Sequence, residues 1–237
     1  MSPERHVVLI TGATGPLGRA VVRRFAADGA QLVLVGTDRG RLDTAAAAAA
    51  LADDAWLPVV GDLRDPETAR AAVAGAEAHF GRVDVLLHLV GGWAGGTPVV
   101  DLDPAEITSM LDQHLWTTLS LAQAVVPGMV SRGHGRLLAV STPFAANPGL
   151  KGAGYAIAKS AEEILLRSLA REVGGSGVTA NVVVVRKIDT RRERETEPSS
   201  RNAAWTTPGE IAETLAFLAS PAAAAINGAR VPLDGRG

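Results

Sequence analysis

The chain has 237 residues, of which 47% are hydrophobic and 20% charged, a balance that suits one globular domain and excludes a disordered or collagen-like chain. With 23 lysines and arginines against 25 acids the net charge is -2, so no broad positive field is offered to nucleic acid or to anionic lipid. There is no cysteine and no metal-ligand spacing among the five histidines, no apolar run near the ~18 residues of a membrane span and no signal-peptide pattern, and the expectation is a cytoplasmic protein without a metal.

The first apolar run, His6 to Ile10, reads as a strand. It leads through Thr11-Gly12-Ala13-Thr14-Gly15-Pro16-Leu17-Gly18 into a helix from Leu17 to Asp28 whose Leu17, Val21, Val22 and Phe25 form one apolar stripe. A glycine-rich turn between a first strand and a first helix is the setting of a dinucleotide site: glycines let the backbone approach a pyrophosphate, which meets the unpaired N–H groups and positive dipole end of the helix. Gly12, Thr14, Gly15, Leu17 and Gly18 are therefore candidate cofactor contacts.

The second strand, Leu32 to Val35, ends at Gly36-Thr37-Asp38-Arg39. No acid stands directly at the strand end to hold a ribose diol, and Thr37 with Arg39 or Arg41 can meet a 2'-phosphate, Asp38 opposing. The balance favours NADP over NAD. A helix over Arg39 to Leu51 contains six successive alanines. The third strand, Leu57 to Val60, is followed by Gly61 and Asp62, where a carboxylate can accept from an adenine amino group or cap a helix.

A helix from Pro66 to Phe80 and a strand from Val83 to Val90 precede Gly91-Gly92-Trp93-Ala94-Gly95-Gly96. Then come a long helix, Pro104 to Arg132, a strand from Arg136 to Val140 ending at Ser141 and Thr142, and a helix from Tyr155 to Val173. Tyr155 and Lys159 lie one turn apart on one face, and a nearby ammonium favours the phenolate, drawing the phenol's pKa down towards neutrality for proton exchange with a substrate. Tyr155 is the only tyrosine. After a strand from Val178 to Val185, a stretch of mixed charge runs from Asp189 to Asn202, either a flap over the site or a solvated segment; the lid is drawn at 187–206. A helix, Pro208 to Ala219, and a strand, Arg230 to Leu233, close the pattern. Seven strands alternating with six helices predict an α/β fold, a doubly wound Rossmann domain over 1–237 with a parallel sheet covered on both faces.

Thr11 to Gly18, Asp62, Gly91-Gly92 and Tyr155 to Lys159 together resemble the short-chain dehydrogenase/reductase (SDR) family, and the likeness covers essentially the whole chain. The resemblance implies hydride transfer between a nicotinamide and a carbonyl or alcohol carbon, with Tyr155 as acid/base and Lys159 also holding the nicotinamide ribose. The family's Ser, thirteen residues before the Tyr, is here Thr142, with Ser141 beside it. Leu63, Gly91, Gly92, Ile188 and Thr190 fall where the family contacts its cofactor.

Pro16 stands where the family has a glycine, Val185-Arg186 replaces a Pro-Gly pair, and His114 replaces an Asn that holds a relay water. An imidazole titrating near neutrality can pass protons directly, and Arg186 can meet an acidic substrate. The Gly91 to Gly96 loop also resembles that of dihydropteridine reductases, with Trp93 as a stacking surface. A pterin-type reductase and a catalytically weakened nucleotide sensor or assembly protein are the alternatives to a carbonyl reductase or alcohol dehydrogenase. The long helices resemble the family's subunit interface, which implies a dimer or tetramer.

Overall fold

A computed structural model describes residues 6–234; the remainder of the domain drawn over 1–237 lies outside the described residues. All seven apolar runs are strands: β1 (Val7–Thr11), β2 (Gln31–Gly36), β3 (Trp56–Val60), β4 (Val85–His88), β5 (Gly135–Ser141), β6 (Val178–Val184) and β7 (Arg230–Pro232). They form one parallel sheet in the order β3-β2-β1-β4-β5-β6-β7. Alternate side chains of each strand feed opposite layers, as the period of a strand requires. Val8, Ile10, Leu32 and Leu34 meet Leu17, Val21 and Phe25 of α1 (Pro16–Ala27) and Ile211 and Leu215 of α8 (Pro208–Ala219). Val7, Leu9, Val33 and Val35 face the other layer, built from α3 (Pro66–Phe80), α5 (Thr117–Arg132) and α6 (Ala153–Glu172). Burial on both faces explains why these strands read as continuous apolar runs rather than as alternating ones.

Two helices differ from expectation. α2 (Arg39–Ala48) stops short of Leu51 because Ala50 is left-handed, with φ 53°. The helix expected over Pro104 to Arg132 is α4 (Pro104–Leu111), a wide π turn over Asp112–Trp116, and then α5. The π turn is held by the threonines that follow it, Thr118 Oγ1 donating to the His114 carbonyl at 2.6 Å and Thr117 Oγ1 to the Gln113 carbonyl at 2.8 Å. Within the segment drawn as a lid, 187–206, a short helix α7 (Glu193–Thr196) is capped by the Asp189 carboxylate, and Ile188 pairs with Thr206 so that the two stems are joined.

β1 carries β2 on one side and β4 on the other, so the chain direction of the crossovers reverses there. In an open α/β sheet the crevice beyond the C-terminal ends of two such strands is where ligands bind.

Candidate active site

A cavity of 690 Å³ opens at that crevice, and a smaller one of 280 Å³ adjoins it above β2 and β3, the two sharing Gly12, Gly15, Leu89, Val90 and Gly91. The turn after β1 is packed so closely that two of its glycines have no substitute. Gly12 is left-handed, with φ 67°, and a Cβ there would lie 2.9 Å from the Leu89 carbonyl oxygen; a Cβ on Gly18 would lie 2.1 Å from the Gly12 oxygen. At Gly15, the N-cap of α1, a Cβ would meet only the Gly12 oxygen at 3.5 Å and would otherwise stand in the cleft. Pro16 occupies the first helical position and brings no N–H. Helix geometry leaves the N–H groups of Leu17 and Gly18 without intrahelical acceptors, and both residues line the cavity. A bare-backbone cradle at a helix N-terminus fits a dinucleotide pyrophosphate.

Thr14, Thr37, Asp62 and Leu63 line the smaller cavity. So does Arg41, with Nη2 3.5 Å from the Thr14 carbonyl. Arg39, named from the sequence as a cofactor contact, does not: its Nε is 2.8 Å from Asp43 Oδ1 and its guanidinium lies over the Trp56 ring at 6.0 Å. This is a correction, and its cause is the helical spacing of Arg39 and Asp43, which turns that side chain outward. Asp38 accepts from the Arg41 backbone N–H at 2.9 Å as the cap of α2. Asp62 is engaged by Arg64, whose backbone N–H and guanidinium both donate to it, holding its carboxyl below the usual range.

Tyr155, Lys159, Thr142, Ser141 and His114 all line the larger cavity, with Gly91, Gly92, Ile188 and Thr190. The Thr142 hydroxyl lies near enough to the Tyr155 phenol to favour its ionised form. The Ser141 hydroxyl instead donates to Glu163 Oε1 at 2.5 Å. Lys159 is buried, its Nζ donating to the Val140 carbonyl at 2.8 Å and to Glu162 Oε2 at 2.6 Å. The expected lowering of the phenol pKa is overturned: burial, reinforced by the Glu162 carboxylate and only partly offset by Thr142, pushes Tyr155 up to about 12. Burial is the larger cause, and the Glu162 carboxylate adds to it.

His114 is fully buried, its ring edge-on to Tyr155 with centroids 5.6 Å apart. Its Nε2 lies 3.1 Å from the Gly92 carbonyl, which can only accept, so Nε2 carries the hydrogen and Nδ1 is an acceptor. Nδ1 is buried and has no partner among the described residues. Burial and the Lys159 ammonium push His114 down to about 3, so it is neutral at neutral pH. The expectation of an imidazole titrating near 6.5 is corrected accordingly.

Several residues of the site escaped the sequence. Glu162 and Glu163, on the inward face of α6, bind Lys159 and Ser141 respectively, and Thr118 Oγ1 is 3.1 Å from Glu162 Oε1. Arg230 of β7 donates to Glu163 at 2.7 Å and to the Thr142 carbonyl at 3.1 Å. His88 bridges Thr11 Oγ1 at 2.8 Å and Thr117 Oγ1 at 3.1 Å below the cavity, and burial and Lys159 push it down to about 3. Two carboxylates on the inward face of an amphipathic helix, three and four residues after Lys159, were the available signal for the first pair.

The mouth of the cavity is apolar and cationic. Trp93, 64% exposed, and Phe144 both line the cavity, and Arg186 and Lys187 come from the turn after β6. Lys187 Nζ sits 3.4 Å from the Trp205 ring centroid, a cation–π contact with the far stem of the 187–206 loop. Among the described residues no group of three or more His, Asp or Glu is placed to hold a metal, and no helix is long and apolar enough to cross a membrane.

A family model described as enoyl-(acyl carrier protein) reductase matches residues 12–235. Among curated proteins, the BbsC subunit of a hydroxy(phenyl)methylsuccinyl-CoA dehydrogenase of Thauera aromatica is 33% identical, over 94% of this chain and 90% of its own. The 3-oxoacyl-(acyl-carrier-protein) reductase FabG of Escherichia coli (strain K12) is 29% identical over 99% of this chain and 98% of its own. Among solved structures, an oxidoreductase of the short-chain dehydrogenase/reductase family from Burkholderia thailandensis superposes with a TM-score of 0.85 at 33% identity, covering 98% of this chain and 92% of that one.

Proposed function

The chain belongs to the short-chain dehydrogenase/reductase family, and from that premise we propose that it interconverts a carbonyl and an alcohol, with Tyr155 exchanging the proton with the substrate oxygen. It is an oxidoreductase that uses a nicotinamide dinucleotide. The observation that carries the finer reading is the convergence on one cavity of the bare-backbone turn after β1, the Thr142 and Tyr155 hydroxyls and the Lys159 ammonium.

When bound, the dinucleotide supplies or accepts the hydride. The cradle of Gly12, Gly15 and the α1 N-terminus fits its pyrophosphate, and the smaller cavity fits its adenosine half. Arg41 and Thr37 at that end support NADP, with the Asp38 carboxylate turned to the Arg41 backbone N–H as the cap of α2. Lys159 has three N–H donors and uses two on Val140 and Glu162, which leaves one for a ribose hydroxyl. Thr142 and Tyr155 then share the substrate oxygen, Thr142 orienting it and Tyr155 donating to it in the direction of reduction.

For the substrate, Trp93, Phe144, Val140 and Val185 support a ring-bearing or apolar body, and Arg186 with Lys187 supports an anionic group at the mouth. The names of two relatives make 3-oxoacyl thioesters the first class to test. Exposed Ile157 and Ile164 on α6 and Trp116 before α5 support a homo-oligomer joined through these helices.

The test is titration with NADPH and NADH, followed by loss of reduced-nicotinamide absorbance with 3-oxoacyl thioesters, cyclic ketones and quinonoid dihydropterin. Wild-type turnover with a Tyr155→Phe rate at least ~100-fold lower is the expected result. Unaltered turnover in that variant would remove Tyr155 from its role, and binding without turnover of any substrate would favour a sensor.

A further inference from the structure

Three successive residues at the end of β5 are each held by a charged side chain. The Val140 carbonyl accepts from Lys159 Nζ at 2.8 Å, the Ser141 hydroxyl donates to Glu163 Oε1 at 2.5 Å, and the Thr142 carbonyl accepts from Arg230 Nη2 at 3.1 Å. The sheet does not set the last of them. Pairing with β6 ends at Ser141 opposite Val184, so Thr142 is the first residue beyond the register. Its carbonyl also takes the Ala145 N–H at 3.1 Å, closing the single turn over Pro143–Ala145. The Thr142 hydroxyl accepts from the Phe144 backbone N–H at 3.3 Å. With a lone pair engaged there, the hydroxyl proton is left for an acceptor in the cavity, which Thr142 lines together with Tyr155.

The guanidinium reaches this point because of strand register. β7 pairs with β6 so that Arg230 stands beside Val182, whose side chain belongs to the layer that α6 covers. Glu163 of α6 is buried and requires a countercharge, which Arg230 Nε supplies at 2.7 Å. Nε and Nη2 lie along one edge of a planar group, so a single rigid fork joins the Glu163 carboxylate to the Thr142 carbonyl. A lysine ammonium carries the same charge as a point donor on a flexible stem and does not reproduce the fork.

We propose that Arg230 and Glu163 are positioning residues of the active site: anchored on Ser141, they fix the Thr142 carbonyl and thereby aim the Thr142 hydroxyl proton at the substrate oxygen. The inference rests on the reading of Thr142 and Tyr155 as the pair that receives that oxygen. Neither Arg230 nor Glu163 lines the cavity, so both act through the end of β5.

The test is a double-mutant cycle on kcat, with the 3-oxoacyl thioester or cyclic ketone that the wild-type protein reduces fastest. Arg230→Lys keeps the countercharge to Glu163 and removes the fork, and is expected to lower kcat at least about tenfold while KM moves by about twofold or less. Thr142→Ala is expected to lower kcat about 100-fold. Adding Arg230→Lys to it is expected to cost a further factor of about two or less, because the hydroxyl that the fork aims is already gone. A general loosening of the fold would instead lower kcat by the same factor in both backgrounds. Equal factors, or full turnover in Arg230→Lys, would overturn the proposal. Glu163→Gln, which keeps the shape and loses the charge that orients the guanidinium, reads the same cycle if Arg230→Lys fails to fold. A second measurement needs no substrate. The amides of Phe144 and Ala145 donate to the two oxygens of Thr142, and their hydrogen exchange is expected to be at least about tenfold faster in Arg230→Lys, with that of Leu138 within β5 unchanged. Unaltered exchange at both amides would also overturn the proposal. A wild-type protein that reduces no carbonyl substrate would overturn the redox reading, and the exchange rates would still decide whether the fork holds the turn.

Discussion

Arg41 faces the smaller cavity, while Arg39, two positions earlier, is paired with Asp43 and lies over Trp56. A charge-assisted contact to a 2'-phosphate contributes about 1.5 kcal/mol or more, so Arg41→Ala is expected to weaken NADPH binding about tenfold and to leave NADH binding alone. Arg39→Ala is expected to change neither by more than about twofold. Fluorescence titration of both variants reads this, and an equal loss for the two cofactors in Arg41→Ala would remove the assignment. From the sequence the two arginines were interchangeable, and only the rotation of α2 separates them. Tyr155 and Lys159 were legible from their spacing, but the direction in which the phenol is shifted was not, since it turns first on burial and then on the Glu162 carboxylate, neither of which a local spacing reveals. His114 was read by its reference chemistry, and burial changed that chemistry.

The opening turn of α1 separates two functions between Gly15 and Gly18, three residues apart. Replacing Gly18 by alanine inside a helix is normally favourable by up to about 1 kcal/mol, but the added Cβ would stand 2.1 Å from the Gly12 oxygen, against backbone that cannot yield. Gly18→Ala is expected to destabilise the fold by about 2 kcal/mol or more, seen as a lower urea midpoint. Gly15→Ala, with its nearest neighbour at 3.5 Å, is expected to leave the midpoint within ~0.5 kcal/mol and to weaken dinucleotide binding by at least about tenfold, because its methyl group enters the cleft. The opposite pattern in the two variants would refute the cradle. Strands and the ends of helices were legible because Asp38, Asp65 and Asp103 cap α2, α3 and α4, and Thr207 with Glu210 forms a capping box on α8. The π turn was not, because one residue too many in a helical turn leaves the apolar pattern nearly unchanged while rotating His114 into the core.

Across the whole molecule, the buried neutral histidines make stability depend on pH. His88 and His114 are held near 3 in the folded state and return to about 6.5 when unfolded. Between those values the unfolded chain binds protons that the folded chain refuses, so stability falls as pH falls, by about 1.4 kcal/mol per histidine for each pH unit well below 6.5. Against a total of about 5–15 kcal/mol, urea midpoints are expected to drop steadily from pH 6.5 to about 4, and His88→Asn to remove roughly half of that slope. An unchanged slope would show that His88 carries no such load. The seven strands and their parallel arrangement follow from alternating apolar runs, but the ties across the sheet do not appear in any local pattern, because they join residues far apart in the chain. Arg230 is the longest of these ties at the site, reaching from the final strand to the carbonyl of Thr142 and to Glu163. A nascent chain that has extruded α6 therefore already carries Tyr155 and Lys159, yet lacks the guanidinium that braces the Thr142 carbonyl. The proposed centre is braced in full only when synthesis reaches β7, so turnover in growing or truncated polypeptides is expected to lag well behind the folding of their first half.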